Sequence, residues 1–278
     1  MTEPSRALAT AAKLHDYAHG SAPFENRHIL NVRVDATTYG DASARVITWA
    51  REARSCYVCL ATVNNIMEAH GSREYQRVMR EADLVTSDGM PLVWLLRGLG
   101  VAGASRVYGP DLTITVLAAA ADNGVPVGFY GGSESVMAKL IETIQGRFPP
   151  LKIAYACAPP FRALTADEDE YATRAIEDSG ARILFVGLGG AKQDYWMHSH
   201  HGRVPCVMLG VGAAFDFIAG TKPQAPRWMQ QSGLEWIFRL GTEPRRLWRR
   251  YLSRNPHFAI LALAQLARTR LNEHRRTA

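Results

Sequence analysis

Glu81-Ala-Asp-Leu-Val-Thr-Ser-Asp-Gly-Met-Pro-Leu-Val-Trp94 predicts a strand that turns tightly into a helix, the basic unit of an α/β fold. A short apolar strand around Leu84-Val85 stops at Asp88-Gly89, and Pro91 opens a new helix. Glycine permits the tight bend from strand to helix, and proline is tolerated in the first turn of a helix. Asp88 therefore stands at the carboxyl end of a strand, where open α/β sheets bind their ligands. The alternative role for this aspartate is that of a helix cap.

Two neighbouring segments show the same arrangement of an apolar run followed by polar residues. Ser55–Asn65 predicts a buried strand and a loop that carries Thr62 and Asn64. Ser105–Thr113 predicts a short strand that breaks at a Gly-Pro pair, with Asp111 entering the next helix as a cap or a ligand. Helix-length segments separate these strands, so their polar ends are expected at one edge of one sheet.

Strands and helices alternate along most of the remaining chain. Further strands are predicted at 29–34, 125–130, 151–156, 181–186 and 204–209, and helices at 41–54, 64–81, 91–99 and 111–122. This alternation, with glycines after strands, is typical of a Rossmann-like α/β fold whose mostly parallel sheet has helices on both faces. After Gly220 the pattern becomes helical, with breaks at Gly241, Pro244 and Pro256.

The positive charge is concentrated near the end of the chain. Residues 239–278 carry ten Arg and two Glu, whereas the preceding 238 residues carry 22 basic and 24 acidic side chains. The net charge of +6 therefore comes from a basic tail, which favours contact with an anionic surface. We expect an N-terminal helical lead-in over 1–27, an α/β domain over 28–220 and a helical C-terminal appendage over 221–278.

The composition argues against several other classes of protein. The first residues lack a charged-then-apolar signal pattern, and no apolar run reaches the ~20 residues that span a bilayer. The four cysteines form no extracellular framework, because Cys56 and Cys59 lie in a predicted strand where an offset of three points them to opposite faces. These features predict a cytoplasmic protein.

At these residues the sequence resembles the WecG/TagA/CpsF family, the family 26 glycosyltransferases. The matching pieces run in order over roughly Asn31 to Leu252, and they are Thr62-x-Asn64, Asp88-Gly89-x-Pro91, Arg106-Val-x-Gly109-x-Asp111-Leu112, Gly131-Gly132, Val186-Gly-Leu-Gly-Gly-Ala-Lys-Gln-Asp194, Gly212-Ala-Ala-Phe-Asp-Phe-Ile-Ala-Gly220, Ala225-Pro-x-Trp-Met229, Gly233-Leu-Glu-Trp-x-x-Arg-Leu240 and Glu243-Pro-x-Arg-Leu247. The resemblance implies a transferase that moves a hexose from a UDP-sugar to a polyprenyl-diphosphate-linked sugar, with inversion to a β-linkage.

The resemblance assigns the role of general base to Asp88. An aspartate with an ordinary pKa of about 3.9 is a weak base for a sugar hydroxyl, and a closed site raises that pKa. Thr62, as a further catalytic residue, and Asn64 are expected to hydrogen-bond and orient the sugars, with helix capping as the alternative. Arg106 can grip a diphosphate with its planar fork or form a surface salt bridge.

Backbone at several strand ends is expected to approach the donor nucleotide, since glycines after strands let N–H groups reach phosphate. The loop Val186–Gln193 does not match the dinucleotide fingerprint, because Lys192 stands where the last glycine would fall. The predicted binding residues of these loops are Gly109, Asp111, Gly131, Gly132, Gly187, Gly189, Lys192, Gln193, Gly212, Phe215 and Asp216.

The segment Asp167-Glu-Asp169 matches the D-x-D metal motif of other glycosyltransferases, but its context favours the start of a helix. Thr165 with Glu168 forms a capping box, and acidic residues suit the first turn of a helix. We therefore predict no metal and no cofactor, with arginine side chains as the counter-charge of the diphosphate.

The C-terminal arginines are expected to serve two surfaces. The spacing of Arg239, Arg246 and Arg249 suits one helix face, and the resemblance implies that the appendage folds over the site and delivers arginine to the leaving UDP. The apolar segment Phe258–Ala267 suits insertion at a membrane interface. A second basic side, suited to anionic lipid, consists of Arg245, Arg250 and Arg254.

The sequence thus predicts an inverting, metal-independent glycosyltransferase of bacterial envelope polysaccharide or exopolysaccharide synthesis. Its expected partners are a UDP-sugar (glucose, N-acetylmannosamine or its uronic acid), a polyprenyl-diphosphate-linked acceptor and the anionic inner face of the cell membrane; self-association is left open. One alternative is a dinucleotide-dependent sugar oxidoreductase or epimerase, which the broken glycine fingerprint disfavours. The other is a nucleic-acid-binding protein, although the chain lacks a base-stacking or groove-reading motif.

Overall fold

The computed structural model describes residues 23–277. In this part of the chain the strands are β1 (Asn26–Ile29), β2 (Val32–Asp35), β3 (Cys56–Ala61), β4 (Leu84–Ser87), β5 (Val127–Gly131), β6 (Ile153–Cys157), β7 (Ile183–Gly187) and β8 (Val207–Gly210). The helices are α1 (Tyr39–Arg51), α2 (Val63–Gly71), α3 (Arg73–Glu81), α4 (Met90–Gly98), α5 (Gly109–Asp122), α6 (Glu134–Arg147), α7 (Ala166–Ser179), α8 (Gly190–His200), α9 (Ala214–Ile218), α10 (Arg227–Gln231), α11 (Glu235–Thr242) and α12 (Pro244–Thr277).

The strands form one sheet in the order β1-β2-β4-β3-β8-β7-β5-β6. β1 and β2 pair antiparallel at one edge, and the other neighbours pair parallel. The predicted Rossmann-like, mostly parallel sheet is thus confirmed. After β4 the chain crosses to β5 and returns through β7 to β8, which lies beside β3. Open α/β sheets bind ligands where the strand order reverses in this way, outside the carboxyl ends of the strands.

Helices cover both faces of this sheet, because successive residues of each buried strand point to opposite sides. Tyr57 and Cys59 of β3 pack into an apolar layer with α2, α3, α4 and α8. Val58 and Leu60 of the same strand pack into a second layer with α1, α5 and α6. The central strands are therefore buried on both faces. Polar side chains can meet at the end of the sheet that is formed by the carboxyl ends of these strands.

The first predicted strand is wrong in detail, because residues 29–34 form part of a hairpin. β1 pairs with β2 with Ile29 opposite Val32, and Leu30 and Asn31 adopt φ values of 46° and 74°. Two consecutive residues with positive φ make the tight connection that suits the twist of a two-residue hairpin. The predicted helix over 64–81 is likewise two helices, interrupted at Ser72, whose Oγ accepts from Tyr75 N and caps α3.

The strand predicted at the start of 105–113 is also wrong. Residues 105–108 run beside β4 without forming a ladder. They are held there because Val107 N donates to Ser87 O at 2.9 Å and Ser87 Oγ donates to Ser105 O at 2.9 Å. This segment, which we call the strap, places Arg106 and Tyr108 next to the end of β4.

The C-terminal helix α12 continues through Pro256, where the sequence predicts a break. Packing stabilises it, since Phe258 and Ala262 are buried in the apolar layer of α2 and α4. A Cβ atom on Gly98 would lie only 2.8 Å from Leu266 Cδ2, so α12 lies directly against α4.

Residues 1–22 of the predicted N-terminal lead-in lie outside the described residues. None of the helices within 23–277 has both the length and the apolar character needed to cross a membrane.

Candidate active site

A cavity of about 710 Å³ opens at the carboxyl ends of β3, β4 and β8. The loops that follow these strands form one wall, and residues of the segment 230–239 and of α12 form another. The cavity thus lies where the strand order of the sheet reverses. The predicted site residues that line it are Thr62, Asn64, Asp88, Arg106, Gly189, Gln193, Gly212 and Arg239.

Asp88 directly follows β4 and faces this cavity. Its backbone N–H donates to Ala61 O at 2.8 Å, which continues the pairing with β3. The N-cap of α4 is Gly89, without a side-chain cap, and Asp88 Oδ2 instead accepts from Gly109 N at 3.4 Å. The side chain is 18% exposed. Burial raises the pKa of Asp88 to about 6, despite the opposing effect of the Arg106 guanidinium. The carboxylate is therefore a stronger base than an aspartate in water.

Arg106 is held between two carboxylates. Its Nη2 lies 3.3 Å from Asp88 Oδ1 and 2.5 Å from Glu235 Oε2, and its Nε donates to the backbone oxygen of Asp88. The guanidinium also lies over the ring of Tyr108, 4.2 Å from the ring centroid. These contacts fix the orientation of Asp88 and join the strap to α11. The predicted contact of Arg106 with a diphosphate stays a prediction.

Thr62 is the N-cap of α2. Its Oγ1 accepts from Asn65 N at 3.4 Å, and its backbone N–H donates to Asn65 Oδ1 at 3.2 Å, which forms a capping box. The hydroxyl group also donates to Asn65 Oδ1 at 2.6 Å. The same side chain lines the cavity, so the helix cap and the candidate site share one hydroxyl group. Asn64 also lines the cavity, and its Oδ1 accepts from Arg254 Nη1 of α12 at 2.6 Å.

A buried polar network lies behind this cap. Asn65 Nδ2 donates to Tyr75 Oη at 2.7 Å and to Asp194 Oδ2 at 3.1 Å, and Tyr75 Oη donates to the same carboxylate oxygen. Asp194 is 1% exposed. Burial raises its pKa to about 7, against the effect of the hydrogen bonds from Tyr75 and Asn65. The network connects α2, α3 and α8 and fixes the amide that completes the cap at Thr62.

Gln193 crosses the gap between the loops after β7 and β8. Its Oε1 accepts from Gly189 N at 3.1 Å, and its Nε2 donates to Gly210 O at 2.8 Å. Gly212, with φ of 52°, lies beside it, and a Cβ atom there would be 3.4 Å from Gln193 Oε1. The side chain therefore shapes the backbone of this wall of the cavity.

Other predicted binding residues lie outside this cavity. Gly132, Gly187 and Lys192 line a second cavity of about 450 Å³ between α7 and α8. Glycine is required at two of the positions: a Cβ atom on Gly131 would lie 2.5 Å from the carbonyl carbon of Gly187, and one on Gly187 would lie 2.4 Å from the ring of Phe215. Phe215 is accordingly a core residue, 1% exposed.

Two predicted acidic ligands have protein partners of their own. Asp111 Oδ2 accepts from Tyr39 Oη at 3.5 Å in the first turn of α5. Asp216 lies 3.3 Å from Lys222 Nζ and accepts from Thr221. Neither residue lines the main cavity.

The predicted basic faces of the tail divide differently in the structure. Arg239 lines the cavity, 3.7 Å from Glu235 and above the ring of Phe217, whereas Arg249 lies over Trp248 on the exposed side of α12. The side chain of Arg246 lies outside the described atoms. Arg254, for which the sequence predicts contact with lipid, pairs through Nη1 with Glu68 Oε2 at 2.6 Å and thereby holds α12 against α2.

The acidic segment Asp167–Asp169 lies in the first turn of α7, as predicted. Thr165 and Glu168 form the capping box, and Arg162 lies 2.6 Å from Glu168. Asp169 pairs with Arg203 at 3.0 Å. Within residues 23–277, no group of three or more His, Cys, Asp or Glu side chains has the arrangement of a metal site.

Comparison with known proteins identifies the family of this chain. The sequence pattern of the glycosyl transferase WecG/TagA/CpsF family matches residues 27–272. The chain belongs to this family. The resemblance seen in the motifs of the WecG/TagA/CpsF proteins is thereby confirmed, and it makes the protein a glycosyltransferase rather than an oxidoreductase or a nucleic-acid-binding protein.

Two characterised relatives are N-acetylglucosaminyldiphosphoundecaprenol N-acetyl-beta-D-mannosaminyltransferases. The protein from Bacillus spizizenii is 31% identical over 222 residues, which are 79% of this chain and 84% of the relative. The protein from Bacillus subtilis is 27% identical over 194 residues, which are 69% of this chain and 73% of the relative. The family pattern, over residues 27–272, covers the sheet and most of the helical segment that follows it.

The sequence motifs of this glycosyltransferase did not disclose the part that Glu235 plays. Glu235 belongs to the quoted motif Gly233-Leu-Glu-Trp, but only the folded chain brings it to Arg106 and the end of β4. Trp94 was also missed, although it lies four residues after Met90 on α4, and both residues line the cavity. This helical spacing was the sequence signal for Trp94, whereas no local signal pointed to the contact of Glu235 with Arg106.

Proposed function

We propose that this glycosyltransferase moves a hexose from a UDP-sugar to a sugar linked to polyprenyl diphosphate, with inversion at the anomeric carbon. In one step the acceptor hydroxyl oxygen bonds to the anomeric carbon, and the bond from that carbon to the β-phosphate oxygen breaks. UDP leaves with the bonding electrons, and the hydroxyl proton passes to Asp88. The product is a β-linked lipid disaccharide of envelope polysaccharide or exopolysaccharide synthesis.

The observation that carries this proposal is the position of Asp88. The carboxylate lies in the cavity, fixed by Gly109 N and Arg106, with a pKa raised to about 6 by burial. A base with a pKa near the working pH is both ionised and strong enough to accept a proton in the transition state. Thr62 and Asn64 are on the wall of the same cavity and can accept or donate hydrogen bonds to sugar hydroxyl groups.

The proposed place for the departing diphosphate is the side of the cavity that carries Arg239. Its guanidinium is the counter-charge that the leaving group needs, since opposite charges at the position of developing charge lower the barrier. Gly189 and Gly212 also line the cavity, where backbone without a side chain leaves room for a phosphate to approach closely. Arg246 and Arg249 are proposed to join Arg239 when the donor is bound.

The names of the two Bacillus relatives support N-acetylmannosamine as the transferred sugar and N-acetylglucosamine on the lipid as the acceptor. UDP-glucose and the uronic acid of N-acetylmannosamine are the other donors to compare. A polyprenyl-linked acceptor is held in a membrane, so we propose that the protein works at the inner face of the cell membrane.

The direct test is a donor comparison with a soluble acceptor, N-acetylglucosamine linked through diphosphate to a short prenyl chain. UDP release is measured with each of the three UDP-sugars, and the anomeric configuration of the product is read by NMR. We expect release with one donor and a β-linked product. An α-linked product would contradict inversion, and lack of release with every donor would contradict the proposed reaction.

Metal independence is tested by adding EDTA to the same assay. We expect an unchanged rate of UDP release, because arginine rather than a divalent cation is proposed to balance the diphosphate. Loss of activity in EDTA with recovery in Mg²⁺ or Mn²⁺ would instead require a cation on the diphosphate.

A further inference from the structure

The cavity has two chemically different ends. Its charged side chains, Asp88, Arg106, Glu235 and Arg239, come from the end of β4, the strap and α11. The lining residues that α4 contributes, and those of α12 from Phe258 onward, are all apolar. The apolar slot between these two helices is lined by Trp94, Leu95, Ala259, Ala262, Leu263 and Leu266.

Helical spacing explains why the slot is continuous. Ala259, Leu263 and Leu266 recur at intervals of four and three on α12, and Ala262 lies beside them, so they share one helix face. This face lies against α4, since a Cβ atom on Gly98 would lie 2.8 Å from Leu266 Cδ2. Two apolar helix faces thus form the walls of the slot.

The slot is open to solvent at one edge. Trp94 is 50% exposed and Leu263 is 67% exposed, although both line the cavity. These large apolar side chains at the mouth of the cavity expose hydrocarbon surface to water. Exposed apolar surface of this kind is typical of a site that binds an apolar ligand. The slot belongs to the same cavity as Asp88.

We infer that this slot holds the polyprenyl chain of the acceptor next to its diphosphate, an inference that rests on the proposed function. The acceptor is one covalent molecule, with a sugar, a diphosphate and a branched hydrocarbon in that order. When the sugar hydroxyl lies at Asp88, the hydrocarbon must leave by a path that remains apolar. The slot between α4 and α12 begins in the same cavity, carries no charged side chain and opens toward solvent between Trp94 and Leu263.

The experiment compares two acceptors that differ only in the group on the diphosphate. One is N-acetylglucosamine diphosphate with a farnesyl chain, used below its micelle concentration, and the other carries a methyl group. Vesicles and detergent are left out, so that any preference for farnesyl comes from contacts with the protein. We expect kcat/KM for the wild-type protein to favour the farnesyl acceptor by about tenfold or more, through a lower KM, because several methylene groups become buried.

Variants locate the contact. Ala259→Trp fills the slot and should bring the ratio of farnesyl to methyl kcat/KM close to one. Ala264→Trp makes the same change on an exposed face of α12 outside the cavity and should leave the ratio as in the wild type. Leu263→Gln, at an exposed position that folding tolerates, should lower the ratio about threefold. Its matched control is Leu271→Gln on the same helix, where the side chain is 63% exposed.

The outcomes separate this inference from the function on which it rests. Equal kcat/KM values for the two acceptors in the wild type, or a farnesyl preference kept in both Ala259→Trp and Leu263→Gln, would overturn the slot and leave the transferase reaction intact. A preference that appears only when vesicles are added would assign Trp94 and Leu263 to contact with the bilayer and would also overturn it. No transfer to either acceptor with any UDP-sugar would overturn the proposed function and the inference together.

Discussion

Two aspartates with raised pKa values, Asp88 after β4 and Asp194 in α8, have different surroundings. Asp88 lies beside the cationic Arg106, faces the cavity and has a pKa raised to about 6. Asp194, within α8, is sealed from solvent, and its pKa is raised to about 7 while it accepts hydrogen bonds from the neutral Tyr75 and Asn65. A perturbed carboxyl alone therefore does not mark a catalytic group; access to the cavity and a counter-charge distinguish the candidate base from the structural acid.

The largest effect expected from this comparison is the loss of transfer in Asp88→Asn. The amide keeps the shape of the side chain but cannot accept the hydroxyl proton, so kcat should fall by about 10²-fold or more. UDP binding, measured by calorimetry, should change little, because the base does not contact the uridine.

Asp194→Asn is the matched variant for that measurement, since it replaces the other buried carboxyl. We expect it to retain activity within about tenfold of the wild type, because its effect reaches Thr62 only through Asn65. Equal losses in the two variants would remove the distinction between base and structural acid.

The next effect is on stability and comes from Asp194. Its folded-state pKa of about 7 lies above the ordinary value of 3.8, so the folded protein binds the extra proton between these values. Wild-type stability should therefore fall as the pH rises through this window, by about 1.4 kcal/mol per pH unit from this group. Urea unfolding at pH 5 and pH 8 measures the free energy of unfolding of the wild type and of Asp194→Asn. Relative to the wild type, the variant should be more stable at pH 8 than it is at pH 5. A difference that is independent of pH would mean that Asp194 has an ordinary pKa.

The smallest effect concerns the pH profile and the role of Glu235. For the wild type, kcat/KM should be half-maximal near pH 6 and should fall about tenfold per unit below that, as Asp88 becomes protonated. The charge of Glu235 raises the pKa of Asp88 and occupies Arg106. Glu235→Gln should therefore move the acidic limb to lower pH, by less than about one unit.

Other charged groups face Asp88 from the elements packed around it, namely Arg106 from the strap and Arg239 from α11. Both are retained in Glu235→Gln, so the direction of the shift reports the carboxylate alone. Glu81→Gln, at a carboxylate paired with His198 away from the cavity, is the control and should leave the profile unchanged. A shift to higher pH in Glu235→Gln would show that this carboxylate does not act on the base.

The sequence predicted the features that depend on local pattern. The strand that ends at Asp88, the parallel sheet and the cap at Thr165 each follow from apolar periodicity and from residues that suit a turn or a helix start. The site residues at strand ends could be named because parallel strands bring their carboxyl ends together.

What the sequence could not provide were contacts between distant segments. Arg254 was assigned to lipid because it lies in a basic run, yet it pairs with Glu68 and also with Asn64, which lies 190 residues before it. Glu235 reaches Arg106 across 129 residues. The strap has a strand-like sequence but does not pair with β4 as a strand. One of the hydrogen bonds that hold it there comes from the side chain of Ser87 instead of from backbone. Charge and strand propensity are local properties, whereas the partner of each group is set by packing.

Gln265 of α12 has a consequence for the order in which the chain can fold. Its Nε2 donates to His28 O at 2.6 Å, and its Oε1 accepts from Leu30 N at 3.2 Å, so it bridges the hairpin of β1 and β2 across more than 230 residues of chain. On the ribosome these two backbone groups can therefore gain their side-chain partner only after more than 230 further residues have been translated, so α12 closes the edge hairpin late.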